Sequence, residues 1–276
     1  MVGCLGSLLE SAPSFHRKGR RTMRTLLSLA AGTLLAALTF SIPGAHAASA
    51  IPKYITAAVA DTARPDPDRQ ADADRKPAES LAFAGIKPGQ KVVDFLPGGG
   101  YFTRLFSAVV GPKGHVLAIA PPKRPDSTRD PAAAAQAIAA DSHYNNVSVQ
   151  VKPLAEFSTP EPVDLVWTSR NYHDLHNVPN FDIAAFDKAV FDALKPGGVF
   201  IVLDHAAEKG SGARDTSTLH RIDPEVVKKE VEAAGFKLEG ESDVLHNRSD
   251  THTDKVFEGS FKGKTDQFIL KFRKPK

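Results

Sequence analysis

The amino-acid sequence predicts an α/β protein built on a doubly wound, mostly parallel sheet. Three observations carry that prediction. Short β-branched runs alternate with helical stretches through the middle of the chain, and a glycine-rich turn follows the first of these runs. Near the C-terminus the pattern changes to two strand candidates with no helical period between them.

The alternation runs in order along the sequence. Strands are expected at Lys91 to Phe95, His115 to Ala120, Val147 to Val151, Val163 to Thr168 and Val199 to Asp204. Helices are expected between and after them, at Tyr101 to Val110, Pro131 to Ala140, Phe181 to Leu194 and Pro224 to Ala234. Asp130-Pro131 and Asp223-Pro224 each place a capping carboxylate before a proline suited to the first helical position. Gly235 stands where a left-handed helix end is wanted. The closing candidates, Phe236 to Ser242 and Phe268 to Phe272, suit an antiparallel hairpin at one edge of the sheet.

The segment before the first strand reads differently. Residues 48–90 are rich in Ala, Asp, Arg and Pro, with helical candidates at Tyr54 to Ala60 and Pro77 to Ala84, and are expected to form a lead-in to one domain over 91–276. Residues 1–47 read as a signal peptide: a basic cluster ending at Arg24, an apolar run from Leu26 to Phe40 too short to span a bilayer comfortably, then Ala45-His46-Ala47. Cleavage after Ala47 predicts a periplasmic or secreted protein with no stable membrane anchor; an uncleaved N-terminal anchor is the alternative.

Charge and cysteine usage narrow the function. The formal net charge is +3, and Arg17, Lys18, Arg20, Arg21 and Arg24 against Glu10 account for +4 of it, leaving −1 for the remainder. No basic face therefore points to nucleic acid. The sole cysteine is Cys4, so residues 48–276 have no thiol nucleophile, no thiolate metal ligand and no disulfide.

The strongest local signal is Val92-Val93-Asp94-Phe95-Leu96-Pro97-Gly98-Gly99-Gly100-Tyr101-Phe102-Thr103, a buried strand running through glycines into a helix. Such a turn lets backbone amides approach a ligand without side chains in the way, although glycines also serve simply to make a turn sharp. Asp94-x-x-x-Gly98-x-Gly100 resembles motif I of class I S-adenosylmethionine-dependent methyltransferases. Val163-Asp164-Leu165-Val166-Trp167 is similar to the fourth strand of that family, and Ala193-Leu194-Lys195-Pro196-Gly197-Gly198 to its turn into the fifth. The pieces span roughly Pro77 to Gly235 in the family's order, and the wording around Tyr172-His173-Asp174-Leu175-His176 resembles exported bacterial predicted methyltransferases.

The resemblance implies a seven-stranded sheet and S-adenosylmethionine as cofactor, held by Asp94, Gly98, Gly99, Gly100 and Tyr101. It implies Tyr172, His173 and Asp174 facing a small-molecule substrate. Two positions depart from the pattern. Leu96 stands where the motif usually has its first glycine and is expected to crowd the turn. The second strand ends in Pro121-Pro122, with no acidic residue between Asp94 and Asp126. Both this family and the dinucleotide-binding Rossmann proteins normally supply a ribose-binding carboxylate there, so a dinucleotide dehydrogenase is disfavoured.

Residues just beyond the strand ends are the candidates for chemistry. Asp94 suits the cofactor's amino group, or equally the amides of its own turn. An imidazole or carboxylate among Tyr172, His173 and Asp174 can accept a proton as a methyl group moves, while the transfer itself needs mainly alignment. His173 and His176 with Asp204 and His205 offer a metal-dependent alternative, but one His-x-x-His pair is not a full ligand set and no metal is assigned. Arg221 either pairs with a carboxylate across the site, binds an acidic substrate or is a surface cation near a loop. No Gly-x-Ser-x-Gly elbow supports a serine hydrolase. A non-catalytic protein holding another small ligand in the same cleft is the reading from a different class.

Overall fold

The computed structural model describes residues 50–259 and 261–276. The expected signal peptide over 1–47 lies outside the described residues. Among them, no helix is long and apolar enough to cross a membrane.

Seven strands form one sheet in the order β3-β2-β1-β4-β5-β7-β6. These are β1 (Lys91–Phe95), β2 (His115–Ala120), β3 (Val147–Val151), β4 (Val163–Ser169), β5 (Leu194–His205), β6 (Lys237–Ser242) and β7 (Gln267–Arg273). The first five pair in parallel, and β7 enters antiparallel between β5 and β6. The fold class is the one expected, closing hairpin included.

Alternation along the strands divides the core, because successive side chains point to opposite faces. Val92, Leu165, Trp167, Ile201 and Leu203 bury one face. Val93, Phe95, Val166, Phe200 and Val202 bury the other. The first face is covered by α4 (Tyr101–Val110), whose Phe102 and Phe106 pack on Trp167 with ring centroids 4.7 and 5.4 Å away. The second is covered by α6 (Tyr172–Leu175), α7 (Ile183–Ala193) and α8 (Pro224–Ala233).

The expected helix from Pro131 is shorter: α5 covers Ala133–Ala140, and Asp130 Oδ1 accepts from the Ala132 amide in the preceding turn instead of capping the helix. Asp223 does cap α8, accepting from the Glu225 amide at 3.0 Å. The fifth strand begins early, at Leu194, with a register shift opposite Val163 to Leu165. A bulge thus accommodates the Lys-Pro-Gly-Gly run inside the strand.

The lead-in holds three helices: α1 (Lys53–Val59), α2 (Asp66–Arg75) and α3 (Pro77–Ala84). Ile55 and Leu81 are fully buried, so α1 and α3 belong to the core. No residue of α2 is buried, which is why no apolar period announced it.

Candidate functional site

Strand order reverses between β1 and β4, the switch point at which open α/β sheets bind ligands. A cleft of about 620 Å³ lies there, lined by Asp94 and residues 96–99 beyond β1, by Ser169, Arg170, Asn171, His173 and Asp174 beyond β4, and by side chains of α2. The connection between β6 and β7 adds Val256, Phe257 and Thr265.

The turn after β1 is built for close approach. Gly98 and Gly100 have φ of 57° and 80°, and a Cβ added at Gly98 or Gly99 would meet nothing within 4 Å. Leu96 lines the cleft beside the turn and packs partly against the core. It takes φ 59°, the left-handed conformation a glycine would supply, at a cost of roughly 1–2 kcal/mol. Hydrogen bonds offset that cost: the Leu96 amide donates to the Ile119 carbonyl at 2.9 Å, and Asn171 Nδ2 donates to the Leu96 carbonyl at 3.0 Å.

Asp94 shares a sheet face with Val92, so its carboxylate points to α4, where the Thr103 hydroxyl donates to Oδ2 at 2.6 Å. It is 3% exposed. Burial pushes its pKa up to about 7, against the Thr103 hydrogen bond, which lowers it. The folded-state value thus lies above the unfolded one. This carboxyl favours the fold in acid, and its contribution is lost as pH rises from the ordinary carboxylate value through about 7.

His173 is fixed by the end of β5. Its amide donates to Asp204 Oδ2 and its Nδ1 lies against Asp204 Oδ1, each at 2.8 Å, while the His205 amide also donates to Oδ1. Nε2 is left without an aligned hydrogen-bond partner, 3.2 Å from Asp174 Oδ1. Burial works against the imidazolium, but Asp204 and Asp174 override it and carry the His173 pKa to about 10. At neutral pH the free protein therefore holds His173 protonated rather than ready to accept a proton. Burial likewise opposes the Asp174 carboxylate, and the neighbouring His173 holds its pKa below the ordinary value.

The other candidates separate. Tyr172 does not face the cleft: it is fully buried on the opposite sheet face, its hydroxyl 2.8 Å from Asp187 Oδ2 and 3.0 Å from Glu230 Oε2. One step along a helix turns a side chain through about 100°, enough to send Tyr172 into the core while His173 enters the site. His176 lies 3.2 Å from Glu230 and His205 pairs with Thr265, so His173, His176, Asp204 and His205 form no common ligand set. Gly100 acts as the N-cap of α4, and Tyr101 lines the cleft with its hydroxyl donating to Asp72 at 2.7 Å. Arg221 is fully buried and pairs with Asp250 outside the cleft lining, so of its three readings the ion pair holds, and it is neither a surface cation nor placed to bind an acidic substrate in that cleft.

Sequence reasoning missed several cations in the cleft. Arg75 of α2 lies over the Tyr101 ring, 4.3 Å from its centroid, and Arg129 and Arg170 line the same space. Burial lowers the Arg170 pKa to about 10. Arg170 directly follows β4, a strand-end position that could have singled it out; nothing in the sequence marks Arg75.

No family model matches the chain. It is 30% identical to a ubiquinone/menaquinone biosynthesis C-methyltransferase of Vibrio vulnificus over 131 residues, 45% of each chain, so it spans less than half of that relative. It is 26% identical to the Vibrio cholerae protein of the same description over 202 residues, 67% of this chain and 69% of the other. Among solved structures, an Aquifex aeolicus S-adenosylmethionine-dependent methyltransferase matches with TM-score 0.51 at 20% identity, covering 75% of this chain and 93% of its own. One from Mesorhizobium loti matches with TM-score 0.51 at 18% identity, covering 74% and 100%. The [4+2]-cyclase SpnF matches with TM-score 0.52 at 16% identity, covering 75% and 80%. The strand order, the switch-point cleft and these likenesses agree: the chain has the fold of the class I S-adenosylmethionine-dependent methyltransferases.

Proposed function

We propose that this protein binds S-adenosylmethionine in the switch-point cleft and transfers its methyl group to a small molecule. One observation carries the reading: the Gly98-Gly99 turn opens into the cleft directly beside the buried Asp94 carboxylate. The turn amides can take the cofactor's carboxylate and Asp94 its ammonium group. When bound, the cofactor supplies an electrophilic methyl group on a sulfonium. The chain's own part is alignment. Asn171 ties β1 to the end of β4 through Leu96, and Asp204 fixes the ring of His173 on the side where a substrate enters. The likeness to C-methyltransferases supports a small-molecule acceptor.

Calorimetric titration of the full chain with S-adenosylmethionine, and separately with its demethylated product, tests the assignment. Micromolar binding of both is expected. Asp94 adds a pH signature, because only its carboxylate form attracts an ammonium group. With its pKa at about 7, affinity falls about tenfold for each pH unit below that value. Asp94→Asn weakens binding and flattens the profile. A folded protein that binds neither ligand would sink the cofactor assignment.

A second reading has its own support. No carboxylate stands at the end of β2, and Arg75, Arg129 and Arg170 line the cleft alongside its aspartates, which supports an anionic group on a small ligand held without catalysis. The fold also serves in SpnF, a cyclase, so fold alone does not choose between them. The same titration decides. The order of charged, apolar and small residues over 1–47 supports export to the periplasm or beyond, which N-terminal sequencing of the exported protein would test by finding Ala48 first.

A further inference from the structure

We propose that His173, Asp174 and His220 form a binding site for one divalent transition-metal ion at the substrate end of the cleft. His173 Nε2 and His220 Nδ1 lie 3.2 and 3.6 Å from Asp174 Oδ1, and one ligand atom from each of the three residues falls within 4.8 Å of the others. Ligands about 2.0–2.1 Å from a tetrahedral ion stand about 3.4 Å apart, so the two short edges already have the required length.

A cluster of polar side chains does not by itself make a site, and two further observations point to a ligand here. The first is the buried ring edge: the His173 side chain is 2% exposed and lines the cleft, and its Nε2 makes no aligned hydrogen bond, facing the Asp174 carboxylate 3.2 Å away at the separation of two ligands of one ion. Buried polar atoms are rarely left so. The second is its support. Asp204, fully buried, holds Nδ1 of the same ring, the carboxylate–histidine arrangement that fixes tautomer and orientation in metal sites.

The third ligand sits on an anchored stretch of backbone. His220 sits at φ 56°, a strained conformation for a non-glycine residue. Next to it, Arg221 is locked by Asp250 and by the Ala206 and Asp254 carbonyls. Thr216 bonds Asn177, joining the His220 segment to the chain just beyond α6. The nearby cation Arg170 is turned to Gln267, with Nε donating at 2.9 Å. The partner of His173 here is not His176, the alternative that spacing offered, but a histidine 47 positions beyond His173.

Two imidazoles and one carboxylate suit zinc or another first-row divalent ion rather than magnesium or calcium, which prefer all-oxygen ligands. Asp174 and His220 have side chains 48% and 33% exposed, so the set is partly open, as sites that take a further ligand are.

The test is titration of the full chain, stripped with a chelator, by Zn²⁺ in a calorimeter and by Co²⁺ in visible absorption. One Zn²⁺ per chain and the ligand-field bands of a low-symmetry cobalt site are expected. His220→Gly, which suits the left-handed backbone, and Asp174→Asn should each weaken binding at least tenfold, and together abolish the cobalt bands. Both residues are partly exposed, so the melting temperature checks that each variant folds. No saturable binding, or binding that both variants retain in full, would overturn the site. The titrations contain no S-adenosylmethionine, so their failure leaves the methyl-transfer reading standing.

Discussion

Replacing Arg221 by alanine is expected to cost about 3–5 kcal/mol of stability, lowering the melting temperature on the order of 10 °C. The side chains of Arg221 and Asp250 are both 0% exposed and meet through two hydrogen bonds of 2.9 and 3.1 Å. Removing the guanidinium leaves a buried carboxylate and frees the Ala206 and Asp254 carbonyls as well. Most of the cost comes from that abandonment, not from the attraction itself. A paired Arg221→Met, Asp250→Leu variant removes the stranded charge but leaves the Asp266 and His252 amides and the Ala206 and Asp254 carbonyls without these partners, so it should recover only part of the loss. Burial opposes the Asp250 carboxylate, but the Asp266 and His252 amides and Arg221 hold its pKa below the ordinary value. The pair thus stabilises above that range and its contribution is lost as pH falls through the lowered value, so wild type and Arg221→Ala converge in acid. Denaturant unfolding followed at Trp167, the single tryptophan, measures both effects. A cost below about 1 kcal/mol would mean that water replaces the pair.

Gly99→Val is expected to weaken S-adenosylmethionine binding on the order of 100-fold, about 2.7 kcal/mol, with the melting point unchanged. The three glycines of the turn are not equivalent. Gly98 and Gly100 have positive φ, and a Cβ at Gly100 would sit 2.1 Å from Ile138 Cδ1, so substitution there strains the fold and confounds a binding test. Gly99 lies outside the left-handed region and has open space around its missing side chain. Valine at this position fits the protein and takes the space a ligand needs. Unchanged affinity would show that the cofactor does not approach the turn.

Much of the fold was legible because it rests on local rules. Five strands in βα alternation, the Asp223 cap and the closing hairpin follow from apolar period and turn chemistry, and β1, β2 and β3 begin and end at the expected residues. Asp94 and the glycine turn were legible for the same reason, as a strand end running into a helix start. Helix α2 was not, because it buries nothing, and its Arg75 matters only through a cleft that other segments complete.

The sequence by itself determined the layered α/β architecture and the end of the sheet at which a ligand would sit. Those properties depend on residues a few positions apart, whose geometry the backbone period dictates. Only the tertiary structure decided which polar side chains meet. It sent Tyr172 into the core and His173 into the cleft, gave Asp204 to His173 as a support, turned His176 to Glu230, and brought His220 from a distant loop to Asp174. It also gave Leu96 a glycine's conformation, because hydrogen bonds from β2 and from the loop after β4 compensate the strain. Such contacts are set by how whole elements pack, and spacing along a single strand or helix carries no record of them.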